Sequence, residues 1–374
     1  MSRRPELDAL RGLMLVLMTL THLPTRFSQP AGQPLGFVSS AEGFVVLSAY
    51  MAGWIYSQLA RRDGIAAMWR AFELRAVKIY LCQAALLIFL FTVVAALGLK
   101  IDQPAIKDLI SFYLDDPWIG LRAGLVLIYN PPLLDILPLY VLFMLLSPIA
   151  LAYGLRRGWV GLMTLSMALW LLAQFGFGSA LYEAIAGPLR LKVPLAQTGA
   201  FDPLAWQFVW MLGLCMGAGG MPIAGRVPRQ IVGVALVIAL TCFVWRHWQG
   251  QTPFAQWYQL NALFDKWQLG PLRLLDFFAL LVLLLRFGPA LKALQPRWPW
   301  LETLGAASLP VFCTHLVMVL LALALFGAAT PQRPPWLDVA LLGTTFAALT
   351  AVARISAGLG DQRSRSAITR FHSA

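Results

Sequence analysis

Apolar residues fall into ten long segments along the chain: 8–25, 36–60, 76–99, 133–154, 158–176, 204–220, 231–248, 272–288, 303–327 and 337–357. Each runs for about 17–25 residues, the length a helix needs to cross a hydrocarbon layer about 30 Å thick. Prolines and glycines punctuate the gaps, as at Pro24, Pro30 and Pro34, at Pro131 and Pro132, and at Pro331, Pro334 and Pro335. In lipid every backbone polar group has to be paired within the protein, so unbroken apolar runs of this length read as helices. The pattern predicts an all-α polytopic bundle of about ten transmembrane helices, built as a single domain over residues 1–374. The first segment follows Arg3 and Arg4 in the manner of a signal peptide. However, Asp8 and Arg11 intrude at its start and no small-residue cleavage site follows, so it reads as a retained span.

Composition agrees with a life in the bilayer. The chain is 59% hydrophobic and only 12% charged, where a soluble domain carries about a quarter of its residues as charge. The formal net charge of +12 could suggest nucleic acid, but its distribution points elsewhere. If the N-terminus is cytoplasmic, that side holds 19 of the 29 Lys and Arg residues and 6 of the 17 acids. This is the positive-inside asymmetry, with both termini in the cytoplasm and no call for a nucleic-acid partner. The basic residues cluster at Arg61, Arg62, Arg70, Arg75 and Lys78, at Arg156 and Arg157, and at Arg226 and Arg229. Cys82, Cys215, Cys242 and Cys313 sit singly inside apolar runs and read as small buried residues. The four histidines show no metal-ligand spacing, so no metal is expected.

Against this background the charges placed inside spans are the candidates for chemistry, because each is costly in lipid unless it faces a protein interior or a wet cavity. The stretch RGLMLVLMTLTH opens with Arg11 and closes with His22. At about 100° per residue the two share one helix face and stand about 16 Å apart along the axis. Asp8 is placed to pair with Arg11 at i,i+3. Glu42 enters the next span at nearly the depth of His22 and is expected to orient its imidazole. Ser308 and His315 share a face of the ninth span, where Pro310 is expected to kink the helix. Asp135 lies at the entrance of the fourth. Trp118, Trp257, Tyr258 and Trp267 lie in two long outer segments, where an aromatic belt and a sugar platform are both open readings. A histidine with a carboxylate fits a general base for acyl transfer, and equally the proton path of a transporter or flippase.

The stretches LDALRGLMLVLMTLTHLP, FVSSAEGFVVLSAY and ASLPVFCTHL together resemble the OpgC family, which stands with the acyltransferase-3-like group of transmembrane acyltransferases. The resemblance covers essentially the whole chain. It implies a multi-pass protein of the bacterial inner membrane that moves a succinyl group from cytoplasmic succinyl-CoA to a periplasmic glucan hydroxyl. Acyl-CoA is then a substrate, and no cofactor is bound permanently. Carried over by position, His22 is the catalytic histidine and Arg11 its membrane-embedded basic partner. Glu42 joins His22 as a catalytic residue on this reading, and Arg70, Arg75 and Lys78 join Arg11 in meeting the donor's phosphates. The remaining intramembrane candidates are Asp8, His315, Ser308 and Asp135. The acceptor would meet the four outer aromatics.

Overall fold

The computed structural model describes residues 4–219, 227–254, 257–294 and 297–372. Its principal helices are α1 (Pro5–His22), α2 (Ser40–Asp63), α3 (Ile65–Phe89), α4 (Ile136–Arg157), α5 (Val160–Gln174), α6 (Pro203–Gly217), α7 (Arg229–Gln249), α8 (Pro271–Leu294), α9 (Pro299–Ala306), α10 (Ser308–Phe326) and α11 (Pro335–His372). No strand occurs among the described residues. Every apolar segment expected from the sequence carries a helix. Among the described residues, five stretches are long and apolar enough to cross a membrane unaided: Ile65–Lys100, α4, α7, α10 and Pro335–Leu359. A sixth is reached if α5 and the helix Phe177–Ala186, bent by 82°, form one span. Others fall short for visible reasons. The 18 residues of α1 include Glu6, Asp8 and Arg11, and α6 has only 15 residues.

The helices gather into two compact units. Residues 1–32, 92–106 and 295–374 make the first, and 33–91 with 107–294 make the second. In the first unit α1 packs against α9 backbone to backbone. A Cβ on Gly12 would stand 2.1 Å from the carbonyl oxygen of Leu301, and one on Gly305 would stand 1.8 Å from that of Asp8. Close approach of this kind is how membrane helices gain packing energy, since lipid supplies no hydrophobic drive between them. It places the first turns of α1 beside α9, and Ala307 breaks the chain between α9 and α10. Pro310 therefore sits in the first turn of α10, where no backbone N–H is needed, and the helical break in this segment falls just before it, at Ala307.

In the second unit α2 begins with a capping box. The Ser39 side chain accepts from Ala41 N, and the Glu42 carboxylate accepts from Ser39 N at 3.0 Å. Gly53 on α2 and Gly213 and Gly217 on α6 bring those two helices into backbone contact. Arg61 near the end of α2 donates to the carbonyl of Ala218 just past the end of α6. Gly64, at φ 90°, turns the chain directly into α3. Arg70, Arg75 and Lys78 consequently lie on that helix and not in a loop, with Arg70 and Lys78 exposed and Arg75 half-buried. Of the basic residues counted for orientation, Arg3 and Arg226 lie outside the described residues.

The α1–α9 contact yields a stability test. Gly305→Val forces side-chain atoms into the Asp8 backbone, and overpacking of this kind costs about 1–3 kcal/mol. The thermal unfolding midpoint of the purified protein should fall accordingly, whereas Gly343→Val, at a glycine with open space around its Cβ position, should leave it nearly unchanged.

Candidate functional site

Two polar rungs join α1 to α10 within the first unit. At the lower rung the Arg11 guanidinium donates to the Ser308 hydroxyl. At the upper rung Nδ1 of His22 lies 3.2 Å from Nε2 of His315. The rings are inclined by only 18° with centroids 5.5 Å apart. That separation exceeds the N···N distance by about one ring diameter, so the imidazoles meet edge to edge in one plane. The geometry is that of an N–H···N hydrogen bond and not of a face-to-face stack.

Acceptor chemistry assigns the protons. Nδ1 of His315 faces the Phe312 carbonyl at 2.7 Å, and a carbonyl oxygen only accepts. Nδ1 of His315 therefore carries hydrogen, which leaves the lone pair of the neutral ring on Nε2. The hydrogen of the interhelical bond must then come from Nδ1 of His22. Neutral His22 accordingly holds its basic lone pair on Nε2. His315 is fully buried behind it, whereas His22 is half-buried, so of the two rings it is His22 that a substrate can reach.

Glu42 was expected to be the partner of His22, and its two oxygens are engaged otherwise. Oε2 accepts from the backbone and hydroxyl of Ser39, and Oε1 accepts from Nε of Arg273 on α8. The side chains of this ion pair are 0% and 1% exposed. A buried carboxylate calls for a full charge as partner, and a guanidinium answers it more completely than an imidazole does. One turn on, Asp276 is also buried and accepts from the backbone of Phe37 at 2.8 Å. Gly36 (φ +106°) passes so close that a Cβ there would stand 2.5 Å from an Asp276 oxygen. Arg273 and Asp276 together pin the approach to α2. Neither was singled out in the sequence, although their i,i+3 spacing inside an apolar run is the same signal that marked Asp8 and Arg11.

The remaining candidates fall into place separately. Asp8 is buried at the start of α1. Asp135 accepts from the backbone of Ala200 at 3.1 Å, which ties the approach of α4 to the chain just before α6. Lys266 lies over the Trp267 ring at 4.7 Å, and burial pushes its ammonium below the usual lysine range, an effect partly offset by Glu42. The indole of Trp267 is thus already covered on one face, while its carbonyl accepts from Trp206. Trp267 nonetheless keeps 40% of its surface exposed. Trp118 and Trp257 are exposed. Tyr258 begins a 3-10 turn, and its side chain lies outside the described residues.

Helices with these lengths and apolar faces, joined by interhelical bonds between polar side chains, define a polytopic helical membrane protein with a histidine pair bridging two of its helices. The chain belongs to the OpgC protein family, whose model matches residues 3–359. No curated protein and no solved structure matches it.

The Glu42–Arg273 assignment is tested by a double-mutant cycle. Glu42→Gln strands a buried guanidinium, and breaking a buried pair costs about 3–5 kcal/mol. Combining it with Arg273→Met should recover part of that loss, seen as a higher unfolding midpoint than Glu42→Gln alone. Strict additivity of the two changes would count against the pair.

Proposed function

We propose that the protein is an integral membrane O-acyltransferase that moves a short acyl group, succinyl on the family resemblance, from cytoplasmic acyl-CoA to a hydroxyl of a periplasmic glucan. The observation that carries this reading is the hydrogen-bond chain from the Phe312 carbonyl through His315 to His22. It fixes the tautomer and plane of a reachable imidazole, which is what a general base requires. Membership of the OpgC family supports the same class of chemistry.

In this mechanism Nε2 of His22 removes the proton from the acceptor hydroxyl as its oxygen attacks the thioester carbonyl. The new C–O bond forms, the C–S bond breaks, and the proton passes from Nε2 to the departing sulfur, which leaves as the free thiol. While His22 is charged, its Nδ1–H donates to Nε2 of His315, and hydrogen bonds from a charged donor are about twice as strong as neutral ones. His315 thus supports the imidazolium without taking its proton. Arg11, about 16 Å below His22 along α1, marks the cytoplasmic approach of the donor, together with the exposed Arg70 and Lys78 of α3. The exposed Trp118 and Trp257 are the acceptor contacts in this scheme. The protein lies in the inner membrane with both termini inside.

The test is acyl transfer by purified protein in sealed inside-out vesicles. Acyl-CoA added outside should modify glucan trapped in the lumen. His22→Gln should lower turnover about 10²–10⁴-fold, the usual contribution of a general base. Retention of more than a tenth of the activity would remove His22 from the chemistry. Glucan that crosses the bilayer unmodified would favour the transporter.

A further inference from the structure

We infer that Arg333 is a positioning residue: its guanidinium ties the ends of α1 and α10 together and so sets the hydrogen bond between His22 and His315. The inference rests on the histidine pair being the catalytic centre.

Arg333 precedes α11 and is buried, yet it is no isolated charge. Its Nη1 donates to the carbonyl of Pro24, two residues beyond His22. Its Nη2 faces the carbonyls of Phe326, Gly327 and Ala328 at 2.7, 3.1 and 3.0 Å. Phe326 is the last residue of α10, and the final carbonyls of a helix have no partner within it. One planar side chain therefore closes the end of α10 and grips the strand of chain leaving α1. Asp338, in the first turn of α11, supplies the countercharge at 3.9 Å from Arg333. The same carboxylate accepts from Nε of Arg26 at 2.8 Å, and Nη2 of Arg26 donates back to the Arg333 carbonyl at 3.0 Å. The loop is closed: Arg333, Asp338 and Arg26 bind each other and three segments of the chain.

The histidine pair lies between this clamp and the contact at the other end of the same two helices, where Arg11 meets Ser308; just before α10, Gly12 of α1 and Gly305 of α9 bring backbones together. An N–H···N bond fails beyond about 3.5 Å, so from 3.2 Å a separation of α1 from α10 by a few tenths of an ångström, or a slip between them of roughly an ångström, breaks it. With the bond goes the reason for the Nδ1–H tautomer, and neutral His22 then divides between two tautomers of which one has its lone pair on the wrong nitrogen. Lysine cannot stand in for Arg333, because a single ammonium lacks the flat fan of donors that serves carbonyls on two sides.

A plain helix cap predicts something different: lost stability with unchanged chemistry per folded molecule. The experiment separates the two in full-length protein in nanodiscs labelled with ¹⁵N-histidine, the His22 resonances being assigned by their loss in His22→Gln. Wild type should show His22 protonated at Nδ1. In Arg333→Gln the His22 nitrogens should shift to averaged, mixed-tautomer positions. Turnover should fall about 10–100-fold, the scale of an ångström's misplacement, with KM for acyl-CoA unchanged, and Arg333→Lys should not restore it. If Arg333→Gln does not accumulate, Asp338→Asn gives the same readouts on a smaller scale. Unchanged His22 resonances, or full rescue by lysine, overturns the inference. Shifted resonances with unaltered turnover uphold the clamp and instead reject the histidine as base. Shifted resonances with lowered turnover uphold both.

Discussion

Hydrocarbon offers no hydrogen bonds, so a polar side chain in a membrane helix has to find its partner on another helix or leave several kcal/mol unanswered. This constraint organises both units. In the first, α1 carries Arg11 and His22 on one face and α10 carries Ser308 and His315 on one face, and the four residues meet in two rungs. In the second, Glu42 of α2 meets Arg273 of α8, and Asp276 closes on the backbone before α2. Apolar contact alone would leave these helices free to rotate and slide, because a leucine face meets lipid about as well as it meets another leucine face. Small residues allow close approach, at Gly12 and Gly305 or at Gly53 and Gly217. The polar rungs select which of the close approaches is adopted.

Much of this was legible in the sequence. Helix content and the positions of the apolar segments follow from length and hydropathy. The site residues His22, Arg11, Ser308 and His315 were marked by a simple rule, polar groups at helical spacing within apolar runs. What the rule lacks is the partner. Spacing shows that two residues share a face and says nothing about which helix that face meets. Proximity in the chain favoured Glu42 as partner of His22, since the first two spans form a hairpin. Yet SSAE, residues 39–42, is a serine and a glutamate at capping-box spacing, a local reading that already employs one carboxylate oxygen at the helix start.

The buried charges of the loops were hidden for a related reason. Arg26 and Arg333 lie just outside the apolar segments and Asp338 at the very start of one, where charges ordinarily face water and serve to count orientation. Burial of Arg333 comes from tertiary structure: the chain beyond α1, distant in sequence, meets the end of α10 and the start of α11 there. Nothing local distinguishes such an arginine from Arg122, which lies over the exposed Trp118 ring at 5.8 Å.

Exchanging a carboxylate for a second imidazole beside His22 alters the electrostatics of the proposed base in a useful direction. A carboxylate held there would be a charge present in the resting protein, with its desolvation cost incurred whether or not substrate is bound. The His22–His315 contact carries no such requirement. Two ring nitrogens 3.2 Å apart can share only one hydrogen between them, so the bond itself forbids both rings from being protonated on the facing atoms. In the proposed mechanism charge appears on the pair when a proton arrives at Nε2 of His22, which is the moment the acceptor oxygen would attack. An interaction that strengthens as the reaction proceeds, and is modest before it, contributes to turnover more than to substrate binding. The buried ring of His315, anchored to the Phe312 carbonyl at its other nitrogen, provides such an interaction from residues that a lipid environment can hold neutral.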